Sequence, residues 1–243
     1  MQRQYKELLI TDEMDIARRA KAEGQYVVLS YPVQGMTKED HLADYPYAVE
    51  TTEQEPEEAG YATYLEHVLC RFKGEPCHIL DTKRCRVREI TTADVDRLYE
   101  IYADPQITEF MEGLYEKKED EIAYTEDYIK CHYGFYDFGM WIVVDKETET
   151  IIGRAGFDMR EGNENPELGF VICTQYQGRG YAAEVCEALL NYGKEELGFE
   201  AVTARVERGN IKSLQLLCKL GFGAQNIDEK TDFLFMKKIL QNS

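Results

Sequence analysis

The chain has 243 residues, room for one large domain or two modest ones, and 44% of them are apolar, enough to bury a sizeable core. Its 46 acidic against 28 basic residues leave a net charge of −18, which argues against nucleic acid as a partner. The seven cysteines are odd in number and lack tight pairing, so they read as reduced thiols.

Cys77-His78 with Cys85, and Cys131-His132, match no zinc spacing, so no metal is expected. The acid excess is spread along the chain, with Glu50–Glu58 as its densest run. Acidity could draw in a cationic substrate such as an amine, but solubility is the preferred reading of the excess. The first residues lack the apolar segment of a signal peptide, and no run approaches a membrane span. The expectation is a cytoplasmic protein with no membrane partner.

In chain order, Glu7–Thr11 reads as a short buried strand. Asp12 then suits the cap of a helix running through Ala22, with Met14, Ile16 and Ala17 on its apolar face. Asp12 also stands where phosphotransfer hydrolases carry a nucleophile, but their second aspartate is Met14 here, so it is read as the cap. Gly24 stops the helix, and Tyr26–Leu29 reads as a second strand, a strand–helix–strand unit that favours a small parallel sheet. Tyr47–Val49 adds a short strand, Glu50–Gly60 a solvated acidic loop, and Ala62–Phe72 a helix with Tyr64, Leu65, Val68 and Leu69 on one side. We take residues 1–80 as a small N-terminal domain of βαβ type. It is too small for a complete dinucleotide or hydrolase domain, and nothing in it specifies a role beyond packing or partner contact.

Residues 81–243 carry a second domain. Arg84–Ile90 alternates as a strand, and Thr91 or Thr92 caps a helix over Ala93–Tyr102 that Asp104-Pro105 breaks. Ile107–Tyr115 reads as an aromatic loop or short helix, and Glu119–Tyr133 as a longer helix. Met140–Val144 and Ile151–Phe157 form strands joined by the polar turn Asp145–Thr150. Strand Glu167–Ile172, helix Ala182–Leu197, strand Ala201–Val206, helix Ile211–Leu220 and strand Phe233–Ile239 follow.

The most informative stretch is Gln175-Tyr176-Gln177-Gly178-Arg179-Gly180-Tyr181-Ala182, between a strand and a helix. Its glycines let the backbone turn amides inward toward an anion, and the helix that follows points its positive end at the same spot. A plain turn has the same look. A nucleotide P-loop is excluded by the lack of a closing Gly-Lys-Ser or Gly-Lys-Thr. Gly178–Ala183 fits the dinucleotide pattern, and Glu200 lies at a suitable spacing for a ribose contact. That motif, however, opens the first strand–helix–strand unit of its domain, whereas a hairpin and two helices precede it here.

From Arg84 to about residue 240 the chain resembles the GNAT N-acetyltransferases. Gln175-x-x-Gly178-x-Gly180 matches their acetyl-CoA loop, and Glu167–Ile172 is similar to the strand before it. Asn210-Ile-Lys-Ser213, closing in Leu220-Gly221-Phe222, matches a second signature. The variant resembles the ribosomal-protein alanine acetyltransferase branch. The resemblance implies an α/β fold of α+β type, the acyl-CoA N-acyltransferase fold, with a mixed, mostly antiparallel central sheet behind the small N-terminal domain. Acetyl-CoA is the implied cosubstrate, splayed between the strands Glu167–Ile172 and Ala201–Val206, and a primary amine on a small molecule or protein N-terminus the implied acceptor. Phe170, Val171 and Ile172 would lie along the pantetheine arm. Amides of Gln177, Gly178, Arg179, Gly180, Tyr181 and Ala182 would hold the pyrophosphate, and Asn210 and Ser213 would contact the cosubstrate from their helix. Asn210 also suits a helix cap.

Acetyl transfer needs a base for the acceptor ammonium, a donor for the thioester oxygen and a proton for the leaving thiolate. Glu167 is the candidate base and Asp158 the secondary one; a surface glutamate at a strand end is the competing view of Glu167. Where many family members carry a general-acid tyrosine, this chain has Leu217. Tyr181 is read as packing. Phe110, Met111 and Tyr115 could wall an acceptor pocket, though two of the three are expected in the core. A non-catalytic CoA-binding regulatory module and a dinucleotide-binding oxidoreductase stand as alternatives, and the reading leaves room for a homodimer.

Overall fold

Leu8-Leu9-Ile10 and Val27-Val28-Leu29 are unbroken apolar runs. A strand sends neighbouring side chains to opposite faces, so a sheet built from these must be covered on both sides. The computed structural model describes residues 2–37, 44–50, 61–160, 162–228 and 231–240, and divides the chain into two compact units, Met1–Cys77 and His78–Ser243. In the first unit, strands β1 (Gln2–Tyr5), β2 (Leu8–Glu13), β3 (Tyr26–Gln34) and β4 (Ala48–Glu50) form a sheet in that order. β1 is antiparallel to β2, and β2, β3 and β4 run parallel. Helix α1 (Met14–Ala22) covers Leu9, Val27 and Leu29 with Met14, Ala17 and Ala20. Helix α2 (Tyr61–Lys73) covers Leu8, Ile10 and Val28 with Leu65, Val68 and Leu69. The two faces of each strand thus meet two different helices.

Asp12 is not the cap of α1. β2 runs on through Glu13, which pairs with Gln34 after a register shift, and Glu13 takes the extended position before the helix. The Asp12 side chain is buried within the strand, with Gln34 Nε2 3.5 Å from its carboxylate. The acidic loop expected over Glu50–Gly60 lies outside the described residues beyond Glu50, which ends β4.

The second unit holds an eight-stranded sheet in the order β11-β12-β10-β9-β8-β7-β6-β5. Its strands are β5 (His78–Asp81), β6 (Cys85–Arg88), β7 (Met140–Asp145), β8 (Thr150–Asp158), β9 (Glu167–Ile172), β10 (Ala201–Glu207), β11 (Gly223–Asp228) and β12 (Phe233–Ile239). Neighbours are antiparallel except β9 and β10, so the sheet is mixed and mostly antiparallel. The strands that the sequence pattern does not announce, β1, β5 and β11, all lie at sheet edges. Edge strands need no buried face, and β11 is exposed along most of its length, so apolar alternation is weak there.

Helices α3 (Val95–Tyr102), α4 (Pro105–Thr108), α5 (Lys118–Asp127) and the short α6 (Gly134–Tyr136) precede the hairpin; α7 (Tyr181–Glu195) and α8 (Ile211–Lys219) follow it. α7 packs on one sheet face, where the Trp141 ring meets Tyr192 and Phe157 edge-on at 5.8 and 6.1 Å. Thr91 caps a 3-10 turn, Thr92–Asp94, that leads into α3, its amide donating to Asp94 Oδ2 at 2.7 Å.

The helix expected over Glu119–Tyr133 is not one α-helix, because Tyr128–Tyr133 widens into a π turn. Its five-residue repeat sets Tyr128 and Tyr133 on one side. The Met140 amide donates to the Tyr128 hydroxyl at 2.8 Å, and the Tyr133 hydroxyl donates to the Met140 carbonyl at 2.7 Å. Gly139 leaves room for this grip, since an added Cβ would come within 2.6 Å of both tyrosine side chains.

Candidate active site

β9 is laddered to β8 along its full length, from Asp158–Glu167 to Gly153–Ile172. β10 is laddered to β12 along its full length as well. Between themselves β9 and β10 are paired at one position, Glu167 with Thr203, where the Thr203 amide donates to the Pro166 carbonyl at 2.9 Å. Beyond that rung the two strands diverge, leaving main-chain groups of Phe170 and Ile172 at the edge of a wedge; those of Val171, expected there too, are turned to β8 because successive residues of a strand direct their main chain to opposite sides. At its far end the Gln177 side chain donates to the Ile172 carbonyl at 2.9 Å and accepts from Lys212 Nζ of α8 at 3.2 Å.

The glycine loop closes the wide end. Gly178 and Gly180 both take left-handed angles, φ +70° and +82°, which L side chains rarely adopt. Gly180 is the residue before α7, and the amides from Gly178 to Ala182 have no main-chain acceptor outside the helix itself among the described residues. These are the orphan donors that every helix start presents.

A clamp that the sequence reading missed fixes this loop. Glu184 accepts from Thr82 Oγ1 at 2.7 Å, from the Arg84 amide at 2.8 Å and from Arg84 Nε at 2.7 Å. Arg84 also donates to the Arg179 carbonyl at 3.0 Å and lies 4.0 Å over the Tyr181 ring. Burial pushes the Glu184 carboxyl up, but the Thr82 and Arg84 hydrogen bonds outweigh it and hold it below its ordinary value. The Tyr181 hydroxyl is tied to Asp145 Oδ2 at 2.8 Å, and that bond, with burial, raises it.

Glu167 and Asp158 face each other across β8 and β9, so the two candidate bases share one end of one sheet face. Glu167 is 8% exposed, and its Oε1 accepts from Arg160 Nε at 2.8 Å. The Asp158 side chain is 41% exposed and lies 3.9 Å from His132 Nε2. His132 stacks on Tyr128 at 4.5 Å, and its Nε2 is buried with no hydrogen-bond partner. Burial holds its imidazole below the ordinary range, against the upward pull of Asp158. Neither Arg160 nor His132 was visible as a site residue from sequence, because each depends on where a loop or a π turn comes down.

Asn210 caps α8, accepting from the Ser213 amide at 3.1 Å. Leu217, at the position of the family tyrosine, is buried in the core. The expectation that two of Phe110, Met111 and Tyr115 are core is overturned. Met111 and Tyr115 are 38% and 52% exposed, and Phe110 is half-buried against Gly209, beside the start of α8. The segment after α4 stays at the surface because the Tyr99 hydroxyl and Glu121 carboxylate hold it by the main chain of Tyr115, at 2.6 and 3.0 Å.

A mixed sheet with one splayed parallel pair, and a glycine-turned helix start at its mouth, defines an acyl-CoA N-acyltransferase type of fold. The purely parallel sheet of a dinucleotide domain is a different architecture. The acetyltransferase (GNAT) domain family matches residues 84–223, and the chain belongs to that family. It is an acyltransferase. An uncharacterized N-acetyltransferase of Bacillus licheniformis, p20, is 28% identical over 152 residues, 61% of this chain and 84% of that protein. A ribosomal-protein alanine acetyltransferase from Vibrio fischeri shares the fold with a TM-score of 0.57 at 17% identity, over 67% of this chain and 97% of its own. Spermidine N-acetyltransferase from Vibrio cholerae, solved with CoA and spermine, does so with a TM-score of 0.55 at 20% identity, over 65% and 96%. Among the described residues no helix is long and apolar enough to cross a membrane.

Proposed function

We propose that this acyltransferase moves the acetyl group of acetyl-CoA to the primary amine of a small molecule or a protein N-terminus. The observation that carries the reading is the β9–β10 wedge, which ends at a helix start whose amides two left-handed glycines turn free. Acetyl-CoA supplies the activated acyl group as a thioester. The amides of Gly178 to Ala182 hold its pyrophosphate, with the α7 dipole, Arg179 and Lys212 adding positive potential; the Gln177 amide, expected to join them, instead donates to the Thr174 carbonyl at 3.1 Å. The open space above Gly178, where an added Cβ meets nothing within 4 Å, suits a phosphate approaching the backbone.

Phe170 and Ile172, whose main-chain groups face the wedge, bind the pantetheine arm, and one of their amides faces the developing oxyanion. Asn210 and Ser213 contact the cosubstrate from α8. The acceptor arrives as an ammonium ion with an ordinary pKa of about 10 and must lose a proton. Glu167, with Asp158 beside it, takes that proton directly or through a water. The amine nitrogen then bonds to the acyl carbon, the carbon–sulfur bond breaks, and the second proton that the nitrogen sheds on becoming an amide passes through water to the thiolate, since Leu217 has none to give.

Thiol release from acetyl-CoA across a panel of amines tests the reading. Glu167→Gln is expected to lower kcat by about 10²- to 10⁴-fold, the usual worth of a general base, while acetyl-CoA still stabilises the variant against heat. A chain that acetyl-CoA does not stabilise, and that acetylates no amine, refutes it.

A further inference from the structure

Arg154 interrupts an apolar strand, Ile151-Ile152-Gly153-Arg154-Ala155-Gly156-Phe157. In the ladder it lies between Ile142 and Val171. Its guanidinium sits 5.8 Å over the Tyr102 ring, with Tyr124, Tyr128 and Tyr133 around it. Its Nε is sealed from water without a hydrogen-bond partner, and no carboxylate among the described residues forms an ion pair with it. A withdrawn guanidinium is costly unless paired, and contact with aromatic faces offsets only part of the cost. In a chain with 46 acidic residues, an unpaired arginine at this place is conspicuous.

The rest of this sheet face explains it. Residues two apart on a strand share a face, so Arg154, Gly156 and Asp158 point the same way, with Val171, Gly169 and Glu167 opposite them. Four residues of strand separate the arginine from the Asp158–Glu167 pair by about 13 Å. Between the two ends Gly156 and Gly169 contribute no side chain; Met140 lies over Gly169, where an added Cβ would come 3.0 Å from its sulfur. Tyr128 and Tyr133, held by the Met140 main chain, stand over this stretch. The face therefore has an acidic end and a cationic end under a tyrosine wall.

Resting on the acetyl-transfer reading, we infer that the acceptor carries a carboxylate as well as its amine, and that Arg154 binds that carboxylate while Asp158 and Glu167 receive the ammonium. A planar guanidinium suits a carboxylate through paired hydrogen bonds. A polyamine would set a second ammonium against Arg154, which this face disfavours.

The test compares kcat/KM for amines that differ by a carboxylate at the far end of the chain: 5-aminopentanoate against pentylamine, and 6-aminohexanoate against hexylamine. The wild type is expected to favour the carboxylate members by roughly 10- to 100-fold, the worth of hydrogen bonds to a charged group. Arg154→Gln should collapse that ratio toward one, through KM of the carboxylate members, with stabilisation by acetyl-CoA retained. Arg154→Lys, which keeps the charge but loses the fork, should fall between and carries the test if the glutamine variant does not fold. A wild type that prefers the plain amines, or an Arg154→Gln that lowers both members of each pair alike, overturns the inference and leaves acetyl transfer standing. No stabilisation by acetyl-CoA and no transfer to any amine would remove the parent reading and this inference with it.

Discussion

Gly178 and Gly198 have nearly the same backbone angle, φ +70° and +67°, and an added Cβ at either meets nothing within 4 Å. One lies in the loop assigned to the pyrophosphate, the other beyond the end of α7. Replacing either by alanine costs about 1–2 kcal/mol of left-handed strain, offset by about 0.4–1 kcal/mol from the stiffer unfolded chain. Both variants should therefore lose about 1 kcal/mol, seen as about 2–4 °C in Tm. Cosubstrate binding separates them. Acetyl-CoA at about 100 times Kd stabilises the wild type by about 2.7 kcal/mol. Gly198→Ala should keep all of it. In Gly178→Ala the methyl stands where the phosphate would approach, and a tenfold loss of affinity leaves about 1.4 kcal/mol at the same concentration. Thermal unfolding of the three proteins with and without acetyl-CoA decides the matter. A Gly178→Ala that keeps the full shift, or a Gly198→Ala that loses as much, shows that the space above Gly178 does not hold the ligand.

Glu184→Gln should lower stability by about 1–2 kcal/mol, because it weakens a half-exposed ion pair and frees Arg84 from the loop. It should also reduce the shift with acetyl-CoA. The Glu184 carboxyl is held below its ordinary value of 4.5, so its contribution is present above that pH and fades below it. Denaturant melts of wild type and variant should converge in acid, and a gap that persists through pH 3 would contradict the clamp. His132 has the opposite charge type. Burial depresses it below 6.5, so the unfolded chain binds more protons in the window beneath that value, and wild-type stability falls as pH drops through it. His132→Gln should lose this part of the acid slope, and parallel stability curves for the two proteins from pH 7.5 to 5 would rule it out.

What could be read from sequence follows what each residue needs from its neighbours. Glu167–Ile172 and Phe233–Ile239 are legible to the residue because each apolar run is bounded by polar or glycine-rich turns. Gly178 and Gly180 are legible because a left-handed turn before a helix leaves few other residue types. The sheet-edge strands are not, since they bury nothing. Arg154 carried a signal, a charge inside an apolar strand, but its meaning depends on four tyrosines from three other elements. The Arg84–Glu184 pair spans a hundred residues of sequence, and no local pattern joins its halves. The π turn is hidden for a similar reason. Nothing local breaks the helix; the widening is tied to Met140, which arrives later in the chain.

The wedge between β9 and β10 has a topological cause. Parallel neighbours cannot be joined by a tight turn; they need a crossover, here the glycine loop and α7. That helix is committed to the face carrying Trp141 and Phe157, so the chain returns to the sheet only at Ala201. β10 then finds a full antiparallel partner in β12, all seven of its residues paired from Ala201 to Glu207. β9 is likewise satisfied along β8. Each strand has one full ladder, and the single rung at Thr203 is all that joins the two. Beyond that rung the Phe170 and Ile172 main chain of β9 faces a gap that opens toward the helix start. An extended arm with amide groups of its own can hydrogen-bond there in place of a strand, with its charged end on the α7 amides. The same pairing that makes the sheet mixed therefore sets the open edge of β9, where we propose the cosubstrate binds, and the Glu167 rung side by side.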